Sequence, residues 1–296
     1  MVGTFRERTM LFASRGGRSP RSANVSHPAP TIGPVTTDTS TAEVGLARLS
    51  PSRASDFKQC PQLYKFRSID RLPEPVSVHQ ARGTTAHLAL ERLYDLPATD
   101  RTADRLYDLF RAAWSELRST EEYGDLFDDP EEERAWGVES LGLLRNYFGI
   151  EDPTAVVPID RELDLLEELG DGIVIRGILD RMDERPDGEL VIVDYKTGKA
   201  PPERYAASAF FAMKIYAVLI RHRLGRTPAE LRLLYLNGPT QYAMPVNDKV
   251  LDGVERQLRA LWRSIETAIE SDTWTPSPGV LCDWCSFQDI CPAFAE

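Results

Sequence analysis

The spacing of apolar residues divides the chain into a helical first half, a β-rich centre and a helical end. Apolar residues recur close to helical spacing, for instance at Trp136, Leu141, Leu144 and Phe148. Together with helix-starting residues and chain breakers, this spacing predicts helices over about 50–60, 82–96, 101–118 and 131–148. Pro97 is expected to end the second of these helices.

Between residues 156 and 196 the pattern changes to the short apolar runs that are typical of β-strands. Residues 185–188, with the sequence RPDG, are a strong turn signal, so the strands on either side are predicted to form a hairpin. The second strand of this hairpin is expected to run from Glu189 to Lys196 and to end at residues 197–199.

After the hairpin, the pattern predicts one helix over about 204–224, which Gly225 would terminate. Two further strands are predicted over about 231–236 and 242–246. A long helix over 248–271 carries its apolar residues on one stripe, which is typical of a helix that packs on a core.

Composition separates a tail from a folded domain. Residues 1–46 are rich in Ser, Thr, Pro, Gly and Arg, which predicts a disordered tail, with a weak electrostatic tether to DNA as the functional alternative. The ordered domain is expected over residues 47–296. The chain contains no apolar run of about 18 residues and no apolar leader, so we expect no membrane span and a cytoplasmic protein.

The net charge of −11 argues weakly against a broad nucleic-acid-binding surface. The acidic residues are concentrated, however, because the stretch 116–133 contains Arg118 as its one basic residue. The total charge therefore does not exclude a local path for DNA.

The hairpin carries the most informative group of polar residues. Asp194 and Lys196 are two residues apart on a strand and therefore share a face, while Asp180 lies on the preceding strand. Carboxylates of this kind hold Mg²⁺ or Mn²⁺, which activates water for phosphodiester hydrolysis, and a lysine can orient that water or offset charge. The alternative is an ordinary ion pair on an exposed hairpin. The apolar run 190–193 favours the catalytic interpretation because it places Asp194 at the end of a buried strand.

His87 and Glu91 lie four residues apart on the predicted helix 82–96, so their side chains share one side of it. A single histidine on a helix is more often structural. Together with the hairpin carboxylates, His87 becomes a candidate metal ligand, and Glu91 becomes a candidate supporting residue or second ligand.

The order of these motifs resembles the RecB-like family of PD-(D/E)XK nucleases. G-T-x-x-H-x-x-L-E at 83–91 precedes G-x-x-D-R-x-D at 177–183, and D-Y-K-T-G at 194–198 is followed by a helix that contains Tyr216. The resemblance covers roughly 49–294 and extends to nucleases of recombination helicases and of CRISPR adaptation. It implies an α/β, restriction-endonuclease-like fold, in which helices flank a central mixed sheet, with a helical N-terminal insertion and an iron–sulfur-tethered C-terminal tail.

The same resemblance implies roles for individual residues. The metal ligands would be His87, Asp180, Asp194 and the backbone carbonyl of Tyr195, and Lys196 would be the catalytic lysine. The chain departs from the family at Ala212, where a glutamine usually stands four residues before Tyr216. Tyr216 itself is either a site residue or a core residue.

All the cysteines of the chain belong to one candidate metal centre. Three lie in the C-x2-C-x5-C pattern of the tail, and the fourth precedes the nuclease motifs; they are Cys60, Cys282, Cys285 and Cys291. Four thiolates can hold either zinc or an iron–sulfur cluster. A single C-x2-C pair and the Cys-Pro step at the end favour the cluster, and the resemblance implies a 4Fe–4S cluster. Its expected role is to tie the helix near Cys60 to the tail.

These features together predict a metal-dependent DNA nuclease, expected to be an exonuclease that acts on single-stranded ends in DNA repair or recombination. The chain has no helicase P-loop, so any unwinding would come from a helicase partner. A CRISPR-adaptation nuclease that works beside integration proteins is one alternative. A non-catalytic DNA-binding scaffold with a nuclease fold is another, whereas a zinc-stabilised interaction module leaves the hairpin carboxylates unexplained.

Overall fold

The structure, a computed structural model, describes residues 48–294, and the predicted disordered tail lies outside these residues. The described chain forms a six-stranded mixed sheet with helices on both faces. Its strands are β1 (Arg48–Leu49), β2 (Pro158–Glu168), β3 (Val174–Glu184), β4 (Leu190–Lys199), β5 (Glu230–Asn237) and β6 (Thr240–Pro245). This mixed α/β architecture agrees with the predicted fold class.

The helices of the described chain precede the sheet, join its strands and follow it. They are α1 (Pro51–Gln59), α2 (Pro61–Tyr64), which continues as a π-helical turn (Lys65–Ile69), α3 (Val78–Leu93), α4 (Ala103–Arg118), α5 (Pro130–Ile150), α6 (Glu203–Ala209), α7 (Phe211–Leu224) and α8 (Asp248–Ser271). Short 3₁₀ turns occur at Ala98–Asp100, Val280–Trp284 and Gln288–Ile290. None of these helices is long and apolar enough to cross a membrane.

The sheet separates two hydrophobic cores. On one face, Leu190 and Ile192 of β4 pack in a core with residues of α1, α7 and α8. On the other face, Val191 and Val193 pack in a core with residues of α3, α4 and α5. Because neighbouring side chains of a strand point to opposite faces, the uninterrupted apolar run of β4 is explained by burial on both sides.

Strands β2, β3 and β4 form an antiparallel meander that is continuous in the sequence. β2 pairs along nearly the whole of one edge of β3. The other edge is shared, because β1 pairs in parallel with Val174 and Ile175 while β4 begins to pair only at Arg181. Between them, residues 176–180 of β3 have no strand partner on this edge within the described chain. We call this unpaired stretch the notch.

Most predicted elements are confirmed, with shifted boundaries. The second predicted helix begins earlier than expected, at Val78, because the Ser77 hydroxyl caps it by accepting a hydrogen bond from the Gln80 amide. It also ends at Leu93, before Pro97, because the amides of Tyr94, Asp95 and Leu96 donate to carbonyls three residues earlier instead of four.

Two expectations about the later chain are wrong. The helix predicted over 204–224 is broken at Phe210, whose φ and ψ of −81° and 2° are not helical. Phe210 is buried in the core, as are half the residues of α7, whereas α6 buries no residue, so the break separates an exposed helix from a buried one. Strand β4 does not end at Lys196, because after an irregularity it pairs again between Lys199 and Asn237 of β5.

Candidate active site

Three carboxylates lie at the same level on three adjacent strands. In the β2–β3 ladder, Arg161 pairs with Arg181 and Leu163 with Leu179, which places Glu162 opposite Asp180. In the β3–β4 ladder, Arg181 and Val193 form the last pair, and Asp180 and Asp194 lie just beyond it on their two strands. The meander therefore forms a row of carboxylates, with Asp180 in the middle.

The imidazole of His87, on α3, lies against this row of carboxylates. Its Nδ1 lies 3.3 Å from Oδ2 of Asp180, and its Nε2 lies 2.9 Å from the backbone carbonyl oxygen of Tyr195. One ligand atom each of His87, Glu162 and Asp180 lies within 4.8 Å of the other two. The structure thus brings together His87, Asp180 and the Tyr195 carbonyl, as the resemblance implied.

Glu162 is the residue of this group that the sequence analysis missed. Its φ of 44° is in the left-handed region, although it lies within β2 and is not a glycine. Such a conformation costs about 1–3 kcal/mol and tends to occur where function requires it. The sequence offered one signal, because Asp160, Glu162 and Asp164 alternate along the strand and present acidic groups with a period of two.

Asp194 and Lys196 form the predicted pair at the end of the buried part of β4. The ammonium of Lys196 donates a hydrogen bond of 3.0 Å to Oδ1 of Asp194 and lies 2.7 Å from Oδ2. Oδ2 is buried and accepts no hydrogen bond of good geometry from the described residues. The backbone amide of Tyr195, between them, donates a 2.9 Å hydrogen bond to Oδ2 of Asp180 and so fixes the two strands against each other.

The crowded charges shift the proton affinities of the group. Burial raises the pKa of Glu162 to about 7, and the charge of Asp180 adds to this effect. Burial and the same charge raise the pKa of Asp194 to about 6, against the opposing pull of Lys196. Burial opposes the charged form of His87, but Asp180 outweighs it and raises the pKa of the imidazole to about 9.

The donor set fits a hard divalent cation. It consists of carboxylate oxygens, a backbone carbonyl and one imidazole, which is a combination that Mg²⁺ and Mn²⁺ accept. Oδ2 of Asp194 accepts no hydrogen bond of good geometry from the described residues, although the Lys196 ammonium lies 2.7 Å away. Burial and the charge of Asp180 raise the carboxyl pKa values of Asp194 and Glu162, so a further cation would stabilise their charged forms. His87, Glu162 and Asp180 would hold such an ion, with the Tyr195 carbonyl beside His87. Asp194, also predicted as a ligand, lies outside the group whose ligand atoms are within 4.8 Å of one another.

A buried ionic network supports the strands beside this group. The guanidinium of Arg181, next to Asp180, donates to both carboxylate oxygens of Glu151 and to Asp183. It also donates to the hydroxyl of Tyr195, at 2.5 Å, and to that of Tyr94. The side chain of Tyr195 is therefore held by this network, while its backbone amide and carbonyl contact Asp180 and His87.

Glu91 and Tyr216 occupy different positions around the site. The carboxylate of Glu91 lies outside the three-residue ligand group, although its charge contributes to the raised pKa of Glu162. Burial raises the pKa of Tyr216, and the charges of Asp180, Asp194 and Glu162 raise it further, which places the phenol near the carboxylate row. Tyr216 therefore borders the site as well as packing against the core.

Tyr216 depends on a glycine in the notch. A Cβ at Gly177 would lie 2.7 Å from Cε1 of Tyr216 and 3.1 Å from Cδ of Pro51. No real side chain fits at these distances, so Gly177 permits α7 and the start of α1 to approach β3. This explains the glycine at the head of the G-x-x-D-R-x-D motif.

The four cysteines line one cavity of about 200 Å³ between the end of α1 and the C-terminal turns. All four are free thiols, and they are Cys60, Cys282, Cys285 and Cys291. Backbone amides donate hydrogen bonds to two of the sulfurs. Ser277 donates to Sγ of Cys60 and Gly279 donates to Sγ of Cys282, each at 3.4 Å. The predicted gathering of distant cysteines is therefore seen in the fold.

Comparison with known proteins defines the class of this fold and site. Residues 48–292 match the sequence profile of the PD-(D/E)XK nuclease superfamily, and the chain belongs to this superfamily. A crystal structure described as that of a candidate exonuclease from Eubacterium rectale superposes with a TM-score of 0.50 over 86% of this chain and 93% of that chain. The two sequences are 14% identical, so this likeness shows the fold alone.

Two relatives illustrate the settings in which similar sequences occur. The gene 69 protein of Mycobacterium phage D29 is 25% identical over 282 residues, which are 85% of this chain and 99% of that protein. One subunit of the ATP-dependent helicase/deoxyribonuclease of Streptococcus mutans is 29% identical over 164 residues, or 51% of this chain. The matched region is only 14% of the length of that polypeptide.

Proposed function

We propose that the protein is a metal-dependent DNA nuclease. The observation that carries the proposal is the convergence of His87, Glu162 and Asp180 within 4.8 Å, beside the ion pair of Asp194 and Lys196. A divalent ion bound there would polarise a phosphodiester and lower the pKa of a bound water molecule. These are the groups that hydrolysis of a phosphodiester needs, in a chain of the PD-(D/E)XK superfamily.

The residues of the chain have distinct tasks in this proposal. Lys196, held against Asp194, presents an ammonium that can donate to a phosphate oxygen and offset the charge that develops on it. Asp180 keeps its negative charge because His87 and the Tyr195 amide hold its pKa below the ordinary value despite burial. Asp180 therefore remains available as a ligand across the physiological pH range.

The finer assignment is an exonuclease that acts on single-stranded DNA ends in repair or recombination. The name of the fold relative from Eubacterium rectale motivates the exonuclease part of this proposal, and the name of the streptococcal helicase/deoxyribonuclease motivates DNA as the substrate. The single-stranded end and the role in repair or recombination rest on the resemblance of the motifs alone. Because the matched region is a small part of the streptococcal polypeptide, a helicase partner for this chain is likewise a proposal. The CRISPR-adaptation alternative has no observation in its favour and stays a prediction.

The cysteine cavity is proposed to hold a 4Fe–4S cluster. Tetrahedral zinc binds sulfur at about 2.3 Å, which places two thiolates about 3.8 Å apart. Within residues 48–294, no three of the cysteine sulfurs lie within 4.8 Å of one another. A four-iron cluster, which gives each thiolate its own iron, suits this wider spacing better. The group would tie α1 to the C-terminal turns.

The function is tested by incubating anaerobically purified protein with end-labelled DNA in Mg²⁺ or Mn²⁺. Linear single-stranded, linear double-stranded and circular single-stranded substrates distinguish the modes, because an exonuclease leaves a circle intact. The wild type is compared with Asp194→Ala and Lys196→Ala, and with the matched exposed substitutions Asp108→Ala and Lys249→Ala as controls.

The expected result is metal-dependent loss of linear single strands by the wild type and both controls, but not by the two site variants. Equal degradation by all variants would show a contaminating nuclease and overturn the catalytic assignment. Absence of cleavage in either metal, with DNA binding retained, would favour the non-catalytic scaffold, to which the departure at Ala212 also points.

A further inference from the structure

A cleft of about 530 Å³ opens over the notch in β3, next to the carboxylate row. Its floor is the unpaired edge of β3, and its walls are the start of the described chain with the first turn of α1 on one side and Tyr216 on the other. Gly177 and Ile178 of this floor lie only three and two residues before Asp180. Tyr216 lines the cleft and also lies near the carboxylate row, so the cleft borders the candidate active site.

The cleft is basic in a protein of net charge −11. It is lined by Arg48, Arg53 and Arg176, together with the hydroxyls of Ser50 and Ser52. Arg176 is neutralised by Asp164, to which it donates two hydrogen bonds of 2.8 and 3.0 Å. Arg48 and Arg53, by contrast, have no carboxylate oxygen within 4.0 Å among residues 48–294.

Partial burial and one hydrogen bond order the side chains of Arg48 and Arg53. Nη1 of Arg53 donates a 2.9 Å hydrogen bond to the carbonyl oxygen of Arg48, which joins the two residues and leaves the rest of the guanidinium free. Both side chains are half-buried rather than extended into solvent. Arginines held in this way, without a carboxylate, are suited to bind phosphate oxygens.

A second positive feature lies between the same two helices. On α1, the ammonium of Lys58 lies 4.1 Å from the ring centre of Phe211 on α7. Burial lowers the pKa of Lys214 on α7, and the nearby charge of Lys58 lowers it further. Like charges held together in this way gain stability when an anion lies near them.

We propose that this cleft binds the phosphodiester backbone of a nucleic-acid single strand and leads it to the carboxylate row. Arg48 and Arg53 contact two phosphates, and Tyr216 lies where the strand passes from the cleft to Asp180. The inference rests on the proposed nuclease function and deepens it by assigning the path of the substrate. The cleft has the size of a pocket for one small ligand, roughly 300–1,000 Å³, and this size favours a single strand over a duplex.

The path is tested by binding, without cleavage. Full-length protein in EDTA is titrated into a fluorescein-labelled oligothymidylate of about 16 nucleotides, a length set by typical single-strand site sizes, and anisotropy is read at several salt concentrations. The test variant is Arg48→Gln/Arg53→Gln. The matched control is Arg105→Gln/Arg263→Gln, which removes the same charge from exposed positions on α4 and α8.

The test variant is expected to bind roughly tenfold or more weakly, and its salt slope should fall by about 1.4, or about 0.7 for each of two phosphates. The control should keep the wild-type slope. Equal affinity and slope for wild type and test variant would overturn the proposal, as would an equal loss in the control, which would mean diffuse electrostatic attraction. If the double variant fails to fold, Arg48→Gln alone serves, because its side chain forms no hydrogen bond within residues 48–294.

Failure of this inference can be told apart from failure of the proposed function. If wild-type protein degrades single strands in Mn²⁺ but the test variant binds normally in EDTA, the cleft is excluded as the binding path and the nuclease function is retained. Wild-type protein that binds through the cleft but cleaves no DNA in any metal would retain the binding site and exclude the nuclease activity.

Discussion

Arg181 of β3 and Glu151 at the end of α5 form two parallel hydrogen bonds of 2.7 Å, with both side chains almost fully buried. This pair links a helix of one core to the central strand of the carboxylate row. Because Arg181 directly follows Asp180 and also holds the Tyr195 hydroxyl, the pair fixes two strands that carry the site. The contribution of this pair to the free energy of unfolding can be measured independently of catalysis.

Replacement of Glu151 by Gln is expected to lower the free energy of unfolding by about 3 kcal/mol. The substitution removes one partner of a buried pair and leaves the guanidinium with Asp183 as its nearest anion, which is strongly destabilising. Urea denaturation at pH 7 measures the change. Asp95→Asn, which breaks the exposed pair with Arg161, is the control and should cost no more than about 1 kcal/mol. Equal losses in the two variants would contradict the prediction.

The metal-free protein should lose stability as the pH rises through the neutral range. Burial and Asp180 raise the pKa of Glu162 from 4.5 to about 7, so the folded state binds this proton more tightly than the unfolded chain. The resulting loss begins near pH 4.5 and is complete above pH 7. Relative to wild type in EDTA, Glu162→Gln should therefore gain up to about 2 kcal/mol between pH 5 and pH 8, after allowance for solvent screening.

Thermal or urea unfolding at the two pH values reads out this effect. Glu168→Gln, on the exposed end of the same strand, is the control and should follow the wild type at both pH values. Saturating Mn²⁺ should reverse the order at pH 8, because the ion stabilises the wild type by binding to the folded state. A Glu162→Gln protein that tracks the wild type at every pH would remove Glu162 from the charged group.

Substitutions of Lys196 and of Asp180 should affect metal binding and catalysis differently. Lys196→Gln is expected to slow cleavage by about 10²–10³-fold, the usual cost of one donor to a developing charge, while it leaves Mn²⁺ binding by calorimetry nearly unchanged. Asp180→Asn should abolish both, since Asp180 lies in the middle of the carboxylate row. Loss of Mn²⁺ binding in Lys196→Gln would show that the lysine acts through the ligands rather than on the substrate.

Gly177→Ala is expected to destabilise the protein by about 1–3 kcal/mol, because the new methyl group overlaps Cε1 of Tyr216 and the ring of Pro51. Adding Tyr216→Ala should relieve part of this cost, so a double-mutant cycle should show coupling between the two positions. Gly142→Ala on α5 is the matched control. Nothing lies within 4 Å of its new methyl group, so it should stabilise the helix by roughly 0.5–1 kcal/mol.

Cys282→Ser should remove the iron that we propose for the cysteine cavity, together with visible absorbance and part of the thermal stability. Elemental analysis of anaerobically purified protein distinguishes iron from zinc in the same sample. Ser286→Ala, an exposed change between two of the cysteines, should keep the metal content of the wild type. Wild-type protein that contains zinc, or no metal, would contradict the assignment of the cluster.

The sequence identified those parts of the site that are encoded locally. Asp180, Asp194 and Lys196 were recognised because a turn signal and a buried strand define their hairpin, and His87 was recognised from its motif. Glu162 was not, because a glutamate on a strand is ordinary and no glycine or asparagine marks its left-handed backbone. The notch was equally hidden, since it depends on how few residues of β1 pair with β3.

Strands β2 to β4 also determine when the site can be assembled. Every carboxylate of the row comes from one uninterrupted meander, so its contacts are local and can form soon after these residues are synthesised. Cys60, in contrast, meets Cys282 only across 222 positions of sequence. On the ribosome, the carboxylate row could thus form before Cys60 meets the C-terminal cysteines, and the cluster that we propose would be inserted after that row has formed.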